Sequence, residues 1–549
     1  MAEDRISRSW SRWLVVMLVA FLAAAMTVVA SGPARADDGD ITVKVHVGGD
    51  RTAATTVAQL AGVEVGLFEG GALVAEPWAT ATTGADGVAT FTVPASQSGK
   101  RFYVRTTAAP TGWTVLGQLN GTTYQFQTPV LQADGTYELG RTSSFGGREM
   151  AVLRNNPQMP AKCGLNVALV LDVSGSVQTA NAVPQLKAAA RTFVNALLGT
   201  PSQVQLFTFS TRANQVTGLT SVSTQAGADT LNTRINALTA SGTTNWDEPL
   251  WMVAQQPTTF DLAVVITDGE PNVTQDGSGS TQFGSVEAAV FSANGLKAEG
   301  TRVITMGVGS GVNSPSAAAN LAAISGPTAN SDYYQSGTYD EVGAALRDMV
   351  FASCAPSLTV VKQVLPADSD DAAPAGGWTF TTSTAASITL APSGTTADST
   401  GAVNFPVSFA GTVTDAQITI TEQQQPGYTL VQQNGANAVC TVKNTADPLG
   451  RTLDVANVTD GFTLTMGPGD MISCTVTNRA PEEGWVPPPT PTPTPSTTDT
   501  PTPTPTPSGP TSPLASTGAN AALAGGIAAV VVAAGLALTF VARRRAAQG

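Results

Sequence analysis

Between Cys163 and Cys354, short apolar runs alternate with longer amphipathic segments. The runs VALVLDV, QVQLFTFS, DLAVVITDG and RVITMGVG are typical of buried strands, and the segments between them show the apolar spacing of helices. Strands that are apolar along their whole length and separated by helices indicate a parallel sheet that is covered on both faces. The sequence therefore predicts a central, doubly wound α/β domain over residues 159–354.

Polar residues stand at the carboxyl ends of two of these predicted strands. The first strand ends on Asp172 and is followed by Ser174 and Ser176, and the third strand ends at Asp268. A further polar loop, SGTTN, contains Thr244. Ligands of such folds bind beyond the carboxyl ends of the strands, so we expect the five side chains to face one point. Their hard oxygen atoms suit Mg²⁺, Mn²⁺ or Ca²⁺.

This set of residues resembles the metal-ion-dependent adhesion site of von Willebrand factor A domains, which have a Rossmann-like fold. Asp172, Ser174 and Ser176 match the family's Asp-x-Ser-x-Ser motif, Thr244 matches its threonine and Asp268 its distal aspartate. The resemblance implies that the hydroxyls bind the metal directly or nearly so, while the aspartates often act through water. It also implies that an Asp or Glu of a protein partner completes the metal shell.

Two acidic residues, Asp247 and Glu248, follow the predicted threonine ligand in NWDEPL. They could tune the metal site, or they could be solvated residues at the start of a helix. Acidic side chains are favourable at a helix N-terminus, so we expect the second arrangement.

The four cysteines and the single histidine limit the chemistry of the chain. The cysteines have no C-x-x-C spacing, so in an exported chain two disulfide bonds are the expected use. We expect Cys163–Cys354 to close the ends of the α/β domain and Cys440–Cys474 to link strands of the region that follows. Because His46 is the single histidine of the sequence, His-rich zinc sites are excluded, and so is a Ser-His-Asp triad unless His46 serves it. We expect His46 to be a strand residue in ITVKVHV.

The charge of the chain argues against a nucleic-acid partner. The formal net charge is −13, and only 12% of the residues are charged. Nucleic-acid binding depends on clustered Lys and Arg that neutralise phosphates, and the sequence shows no such basic patch.

The N-terminus has the features of a secretory signal peptide over residues 1–36. Three arginines precede an apolar run, and the segment closes on SGPARA, which predicts cleavage after Ala36. The alternative is an uncleaved signal anchor, which the small-residue cleavage pattern makes the weaker prediction.

The C-terminus combines three ordered features. Residues 481–513 are rich in Pro and Thr and predict an extended linker, and residues 514–549 end in an apolar run, 519–542, followed by three arginines. The motif between them consists of Leu514, Ala515, Ser516, Thr517 and Gly518. This order resembles the cell-wall sorting signal of Gram-positive surface proteins, in a Leu-Ala-x-Thr-Gly form of actinobacterial type. The resemblance implies that a sortase cleaves after the threonine and joins it to peptidoglycan, the alternative being an ordinary membrane anchor.

The regions that flank the α/β domain, residues 37–158 and 355–480, show strand-like alternation and many turn signals. They resemble the prealbumin-like, collagen-adhesin B-type modules of Gram-positive surface proteins, which implies two all-β sandwich modules with an immunoglobulin-like arrangement. Some such modules form a Lys–Asn isopeptide bond with the help of a buried Glu.

In the second module, Lys362, Glu422 and Asn478 stand at positions that fit this bond. The alternative is an exposed lysine, a solvated glutamate and an asparagine in a turn. In the first module Thr106 occupies the place where the Glu would be expected, so we expect no bond there.

These features together predict a secreted, wall-anchored adhesin that binds a protein partner through a divalent cation, in a role close to that of a pilus tip. The other expected partners are a sortase and peptidoglycan. A structural wall or pilus-associated protein is the second hypothesis. A metal-dependent hydrolase is the weakest, because this site offers only carboxylates as general bases, so we expect that the protein is not an enzyme.

Overall fold

A computed structural model of the chain describes residues 39–69, 75–140, 149–274, 277, 279 and 281–482. The predicted signal cleavage site at Ala36, most of the Pro/Thr-rich linker, the LASTG motif and the apolar run 519–542 lie outside these residues. Within the described ranges, no helix has both the length and the apolar character needed to cross a bilayer.

The first region consists of strands and one short helix. Its strands are β1 (Ile41–Ala53), β2 (Thr56–Gln59), β3 (Glu64–Phe68), β4 (Ala79–Thr82), β5 (Val88–Val93), β6 (Tyr103–Ala108), β7 (Trp113–Val115), β8 (Gln118–Leu119), β9 (Thr122–Thr123), β10 (Phe126–Gln127), β11 (Thr136–Leu139) and β12 (Met150–Arg154), with a 3-10 helix at Ala95–Gln97. One sheet has the order β11-β1-β12-β7, with β2 and β5 also paired to β1, and the other has the order β10-β6-β3-β4. Alternate residues of β1 are fully buried between the layers, as a half-buried strand requires.

The central region alternates strands with helices. Its elements are β13 (Asn166–Asp172), α1 (Gly175–Thr179), α2 (Val183–Leu197), β14 (Gln203–Phe209), β15 (Ala213–Gln215), β16 (Thr220–Ser221), α3 (Gln225–Asn236), α4 (Asp247–Ala254), β17 (Leu262–Thr267), α5 (Gln282–Ala298), β18 (Arg302–Val308), α6 (Pro315–Ile324), β19 (Tyr333–Ser336) and α7 (Tyr339–Cys354). The sheet order is β15-β14-β13-β17-β18-β19, with β16 also paired to β14.

The predicted parallel strands are present, but the sheet also contains two antiparallel strands that were not predicted. Strands β14, β13, β17, β18 and β19 are parallel, whereas β15 and β16 run antiparallel to β14 and make the sheet mixed. These two edge strands are only three and two residues long, so they lack the apolar run that identified the others.

The last region is again built of strands. They are β20 (Ser357–Leu365), β21 (Ala373–Pro374), β22 (Thr379–Thr384), β23 (Ile388–Thr389), β24 (Ser393–Thr395), β25 (Ala402–Pro406), β26 (Ser408–Phe409), β27 (Ala416–Glu422), β28 (Thr429–Val431), β29 (Val439–Lys443), β30 (Arg451–Leu453), β31 (Ala456–Val458), β32 (Gly461–Met466) and β33 (Met471–Arg479). The larger sheet has the order β21-β20-β33-β29-β30, with β25 and β28 added at its sides, and the second has the order β24-β22-β27-β32-β31. The first and last strands, β20 and β33, pair in parallel along their full length.

Both predicted disulfide bonds are confirmed. Cys163 joins Cys354 and so links the segment before β13 to the end of α7. Cys440 joins Cys474, and the two residues are direct neighbours across β29 and β33. Because 191 positions separate the first pair, that bond restricts the unfolded chain over a long loop.

Helix α5 lies buried between the central sheet and the first β region. Every residue from Ser285 to Lys297 is buried, although a helix on the surface of an α/β domain normally keeps one polar face in water. The Asn294 side chain donates hydrogen bonds to the backbone oxygens of Gly49 and Val152, at 3.1 and 2.8 Å. The first β region therefore covers apolar surface that the α/β domain alone would expose.

The structure corrects our expectation for Asp247. Its side chain is fully buried and forms an ion pair with Arg51 of β1, with 2.7 Å between Oδ1 and Nη1. Ser292 of α5 donates a hydrogen bond of 2.5 Å to the same carboxylate oxygen. Glu248 is also not simply solvated, because it accepts a hydrogen bond of 2.9 Å from the backbone N–H of Ala213. Packing of the first β region, which the local sequence does not encode, accounts for the burial of Asp247.

Replacing Asp247 with Ala should lower the free energy of unfolding by about 3 to 5 kcal/mol, because it leaves the Arg51 guanidinium buried without its carboxylate. Denaturant unfolding of the purified protein in EDTA measures this without any contribution from bound metal. The matched control is Asp348→Ala, which breaks an exposed pair with Arg347 and should cost about 1 kcal/mol or less. Equal losses in the two variants would contradict the assigned role of the buried pair.

Candidate metal site at the carboxyl edge of the sheet

Asp172 is the last residue of β13, and its carboxylate is held from two directions. Oδ1 accepts a hydrogen bond from the backbone N–H of Ser174 at 2.8 Å, within its own loop. Oδ2 accepts one from the hydroxyl of Thr267 at 2.6 Å, from the end of the neighbouring strand β17. The side chain is fully buried, so both bonds orient it in a region that water does not reach.

Ser174 and Ser176 connect this carboxylate to the second acidic residue. Their hydroxyl oxygens lie 3.0 Å apart, and the Ser176 hydroxyl donates to Asp268 Oδ1 at 2.6 Å. Ser174 is almost fully buried. The loops after β13 and β17 thus bring four of the five predicted side chains into one hydrogen-bonded cluster.

Thr244 approaches the cluster from the loop between α3 and α4. Its backbone N–H donates to Asn272 Oδ1 at 3.1 Å, and its carbonyl accepts from the Asn272 N–H at 2.9 Å. A Cβ built on Gly269 would lie 3.6 Å from both the Ser176 hydroxyl and the Thr244 hydroxyl. The two hydroxyls therefore border the same small space, and the absence of a side chain at Gly269 keeps that space open.

Two glycines allow the first and third loops to approach each other. Gly175 donates a backbone hydrogen bond of 2.9 Å to the carbonyl of Gly242, and a Cβ on Gly175 would lie only 3.0 Å from that oxygen. Gly242 has a φ of +90°, which side-chain-bearing residues rarely adopt. This contact fixes the loop that carries Thr244 against the loop that carries Ser174.

Burial governs the electrostatics of the two carboxylates. It raises the pKa of Asp172 to about 7, although the hydrogen bonds from Thr267 and Ser174 oppose the shift, and the nearby Asp268 carboxylate adds to it. Burial also raises the pKa of Asp268, against the hydrogen bond from Ser176. Burial of Asp172 and partial burial of Asp268 make their charged forms less favourable, and a nearby cation would offset that cost, so the cluster has the electrostatic character of a cation site.

The donor set fits a hard divalent cation. It offers two carboxylates and three hydroxyls, from Asp172, Ser174, Ser176, Thr244 and Asp268, and no sulfur or imidazole atom. Oxygen ligands of this kind suit Mg²⁺, Mn²⁺ and Ca²⁺, and two negative charges balance the charge of the ion. The neutral hydroxyls leave the ion able to accept a further carboxylate from outside.

Several residues that support the site were not identified from the sequence. Thr267 orients Asp172, and it also accepts a hydrogen bond of 3.3 Å from the Trp246 indole. Asn245 is fully buried and donates to the carbonyls of Thr211 and Thr274, at 3.2 and 2.7 Å. Asn245 directly follows Thr244, and Thr267 directly precedes Asp268. Their position next to predicted ligands was the one signal in the sequence that could have identified them.

A second constellation lies in the last β region, away from the central sheet. Lys362 Nζ is fully buried 2.5 Å from Glu422 Oε1 and 4.3 Å from the centre of the Trp378 ring. Asn478 on the adjacent strand donates 3.2 and 3.1 Å hydrogen bonds to Glu422 and to Gln424. Burial lowers the pKa of Lys362 to about 8, against the opposing effect of the Glu422 charge. The structure therefore brings together the three residues that the sequence singled out, in a dry environment.

In the first β region, the described residues at the corresponding place differ from those of the last region. Thr106 lies there on β6, buried, and its hydroxyl has no hydrogen-bond partner within the part of the chain that the structure describes. Lys44 of β1 is 40% exposed and lies 4.0 Å from Glu138.

Comparisons with known proteins identify the central region. Residues 166–348 match the family model of the von Willebrand factor type A domain, so the chain contains such a domain. No curated protein matches the chain.

Solved structures to which parts of this chain are similar include the following three. The pilus adhesin SpaC from Lactobacillus rhamnosus GG is 14% identical over 60% of this chain and 57% of that one, with a TM-score of 0.29. Proximal thread matrix protein 1 from the mussel byssus, with a zinc-occupied MIDAS motif, is 19% identical over 35% and 46%, with a TM-score of 0.28. The vWF domain of the type V pili tip protein Mfa5 from Porphyromonas gingivalis is 13% identical over 34% and 94%, with a TM-score of 0.29. This chain spans about half the length of the first two proteins. At identities and TM-scores this low, the functions of these proteins are not transferred to this chain.

The pKa of Asp172 makes the stability of the metal-free protein depend on pH. Its value rises from 3.8 to about 7 on folding, so the folded state binds more protons, and stability should fall as pH rises through this window. A divalent cation binds the ionised form, so Mg²⁺ should stabilise the protein more at a pH of about 8 than at about 5. Thermal unfolding with Mg²⁺ and with EDTA at both pH values measures the difference. Asp172→Asn should reduce the pH-dependent part by removing the Asp172 contribution, and an equal Mg²⁺ effect at both pH values would contradict the assignment.

Proposed function

We propose that this protein is a cell-wall-anchored surface adhesin that binds a protein partner through a divalent cation at the carboxyl edge of its central sheet. The observation that carries the proposal is the convergence of the five oxygen-bearing side chains of Asp172, Ser174, Ser176, Thr244 and Asp268, within a segment that matches the von Willebrand factor type A domain. The cation we propose is Mg²⁺ or Mn²⁺, with Ca²⁺ as a further possibility.

The binding step follows from the kinds of ligand in this site. When bound, the cation would supply a Lewis-acidic position that can accept a carboxylate. The chain's own residues hold two carboxylates and three neutral hydroxyls toward it, and because the hydroxyls are weak donors, the ion keeps its attraction for a Glu or Asp oxygen of the partner. The Asp172 and Asp268 carboxylates are fixed by Thr267, by Ser174 and by Ser176, so binding requires little reorganisation of the ligands.

Attachment to the wall is supported by the sequence. The LASTG motif precedes an apolar run and three arginines, and a Pro/Thr-rich segment stands before it as a spacer. We propose that a sortase joins Thr517 to peptidoglycan, so that the metal-bearing region is displayed away from the cell surface.

Asp172→Ala should abolish adhesion because it removes one of the two carboxylates that attract the ion. Retention of the purified protein on a panel of immobilised host and microbial surface proteins, with Mg²⁺, with EDTA and after Mn²⁺ addition, measures the effect. We expect EDTA to reproduce the loss and Mn²⁺ to reverse it in the wild type. Ser174→Ala should be milder, since a hydroxyl contributes less electrostatic attraction, and Asp348→Ala is the exposed control. Retention that survives both EDTA and Asp172→Ala would contradict the proposal.

We also propose that the last β region forms an isopeptide bond, which the burial of Lys362 beside Glu422 and Asn478 supports. The Lys362 Nζ attacks the side-chain carbonyl carbon of Asn478, the new amide bond forms, and the Asn478 nitrogen leaves as ammonia. Glu422 lies where it can carry the proton from the lysine to the leaving nitrogen. The bond would link the first and last strands of this region, β20 and β33, and so resist pulling between wall and partner.

Bond formation should lower the mass of the reduced protein by about 17 Da, the mass of the ammonia lost. Mass spectrometry after full reduction measures it, because disulfide bonds also remove mass. Lys362→Ala should restore the mass expected for that sequence, whereas Lys187→Ala, at a lysine that donates a hydrogen bond to the backbone carbonyl of Asn236, should keep the deficit. A mass deficit of the same size in Lys362→Ala, or no mass deficit in the wild type, would exclude the bond.

A further inference from the structure

The hydroxyl of Tyr339 is a buried polar group that takes part in none of the hydrogen bonds of the candidate metal site. Tyr339 is the first residue of α7 and is only 6% exposed. Its hydroxyl has no hydrogen-bond partner within the residues that the structure describes. Leaving a buried hydroxyl unpaired costs about 1 to 3 kcal/mol, so such a group calls for a specific explanation.

Hydrogen bonds fix the first turn of α7, which carries Tyr339. Thr338 and Glu341 form a capping box, in which the Thr338 hydroxyl accepts from the Glu341 N–H and the Glu341 carboxylate accepts from the Thr338 N–H, both at 3.3 Å. The Tyr339 ring packs in the apolar cluster that also contains Val177, the neighbour of the predicted ligand Ser176.

The start of α7 lies at the same edge of the sheet as the metal ligands. Two residues before the capping box, Ser336 accepts a backbone hydrogen bond of 2.9 Å from Gly309. Gly309 belongs to the loop that follows β18. In this loop, a Cβ on Gly311 would lie 2.3 Å from the backbone oxygen of Asp268. The pKa of Tyr339 is raised, chiefly by burial and further by the charges of Asp268 and Asp172. The loop after β18 thus contacts both the segment that leads into Tyr339 and the backbone of the predicted ligand Asp268.

We propose that Tyr339 is a positioning residue of the metal site, whose hydroxyl donates a hydrogen bond to a water molecule in the coordination shell of the cation. This proposal rests on the proposed metal site. The oxygens of Asp172 accept from Ser174 and Thr267, and Asp268 Oδ1 accepts from Ser176, whereas the Tyr339 hydroxyl has no partner among the described residues. Hydrated Mg²⁺ keeps several of its waters when it binds to proteins, and these waters are acceptors and donors that the described chain does not supply.

The alternative is that Tyr339 acts only as an apolar core residue. The two roles make opposite predictions for Tyr339→Phe, which keeps the ring and removes only the oxygen. If the residue is only structural, the variant binds Mg²⁺ as the wild type does. If the hydroxyl holds a metal-bound water, the variant loses metal affinity without losing stability in the absence of metal.

The experiment compares the full-length wild type and Tyr339→Phe by calorimetric titration with Mg²⁺ and by unfolding in EDTA. We expect Mg²⁺ affinity to fall by about 3- to 10-fold, the effect of losing one hydrogen bond. In EDTA we expect unchanged or greater stability, because the variant no longer buries an unpaired hydroxyl. The relaxation of water protons by bound Mn²⁺ should also change, which a purely structural role would not cause.

The matched control is Tyr334→Phe, a half-buried tyrosine on β19 whose surrounding charges are Arg302 and Asp332 rather than the metal ligands. It should leave Mg²⁺ affinity unchanged. Affinity within twofold of the wild type in Tyr339→Phe, or a loss of the same size in Tyr334→Phe, would overturn the role of Tyr339 alone. A wild-type protein that binds neither Mg²⁺ nor Mn²⁺ would overturn the metal site and this proposal together.

Discussion

The Asp172 carboxylate terminates a core strand and lies fully out of contact with water, and the arrangement of the surrounding loops follows from this burial. An isolated carboxylate in such a place is costly, so it must be hydrogen-bonded, protonated or paired with a cation. Thr267 and the Ser174 backbone supply hydrogen bonds, but the pKa of Asp172 still rises to about 7 because they do not offset the whole cost of burial. A bound divalent cation would supply the remaining compensation for Asp172 and would also favour the ionised form of the half-buried Asp268.

The same edge of the sheet is fastened to the first β region. Arg51 pairs with Asp247, three positions after Thr244, and its guanidinium also lies 4.5 Å from the Trp251 ring. On the other side of the site, Asn320 connects Asn120 of the first region, at 2.8 Å, to Glu270, at 2.5 Å, just beyond Asp268. Both connections reach loops that carry predicted metal ligands, so the first β region supports the geometry of the site. A fragment limited to the α/β domain would lose these bonds and would expose helix α5.

The last β region makes a different kind of connection. Lys443 donates hydrogen bonds to the carbonyls of Asn195 and Leu198, at 2.7 and 3.1 Å, where helix α2 ends. An amine at this position satisfies carbonyls that the helix itself leaves free and lies favourably against the negative end of its dipole. The central domain is thus held from two sides by contacts that are far apart in the sequence.

Much of this structure was accessible from the sequence, for physical reasons that differ between elements. The four long strands β13, β14, β17 and β18 were predicted because continuous apolar runs are strong signals, and the disulfide pairing followed from the domain boundaries. The clustering of Asp172, Ser174, Ser176 and Asp268 was predictable because these residues follow strand ends, whereas Thr244, in the loop between α3 and α4, was placed with them by its match to the family motif. The role of Asp247 was predicted wrongly, since its partner Arg51 lies 196 positions away and no local pattern indicates it.

The edge strands β15 and β16 were not predicted because they depend on pairing with β14 rather than on their own composition. The complete burial of α5 was also not predicted. One signal was available in hindsight: SVEAAVFSANGLKA carries few charged residues on any face, which is typical of a helix with no side exposed to water. Thr267 orients Asp172 through a contact between neighbouring strands, and no spacing rule distinguishes it from an ordinary strand residue.

Crystals of the protein grown with Mn²⁺, measured at a wavelength where manganese scatters anomalously, test the central claim most directly. The account predicts one anomalous peak at the carboxyl edge of the central sheet, bordered by the hydroxyls of Ser174, Ser176 and Thr244. It predicts that the peak disappears in Asp172→Ala while the surrounding fold is unchanged. A wild-type map with no peak at this edge, or with manganese bound only elsewhere, would contradict it.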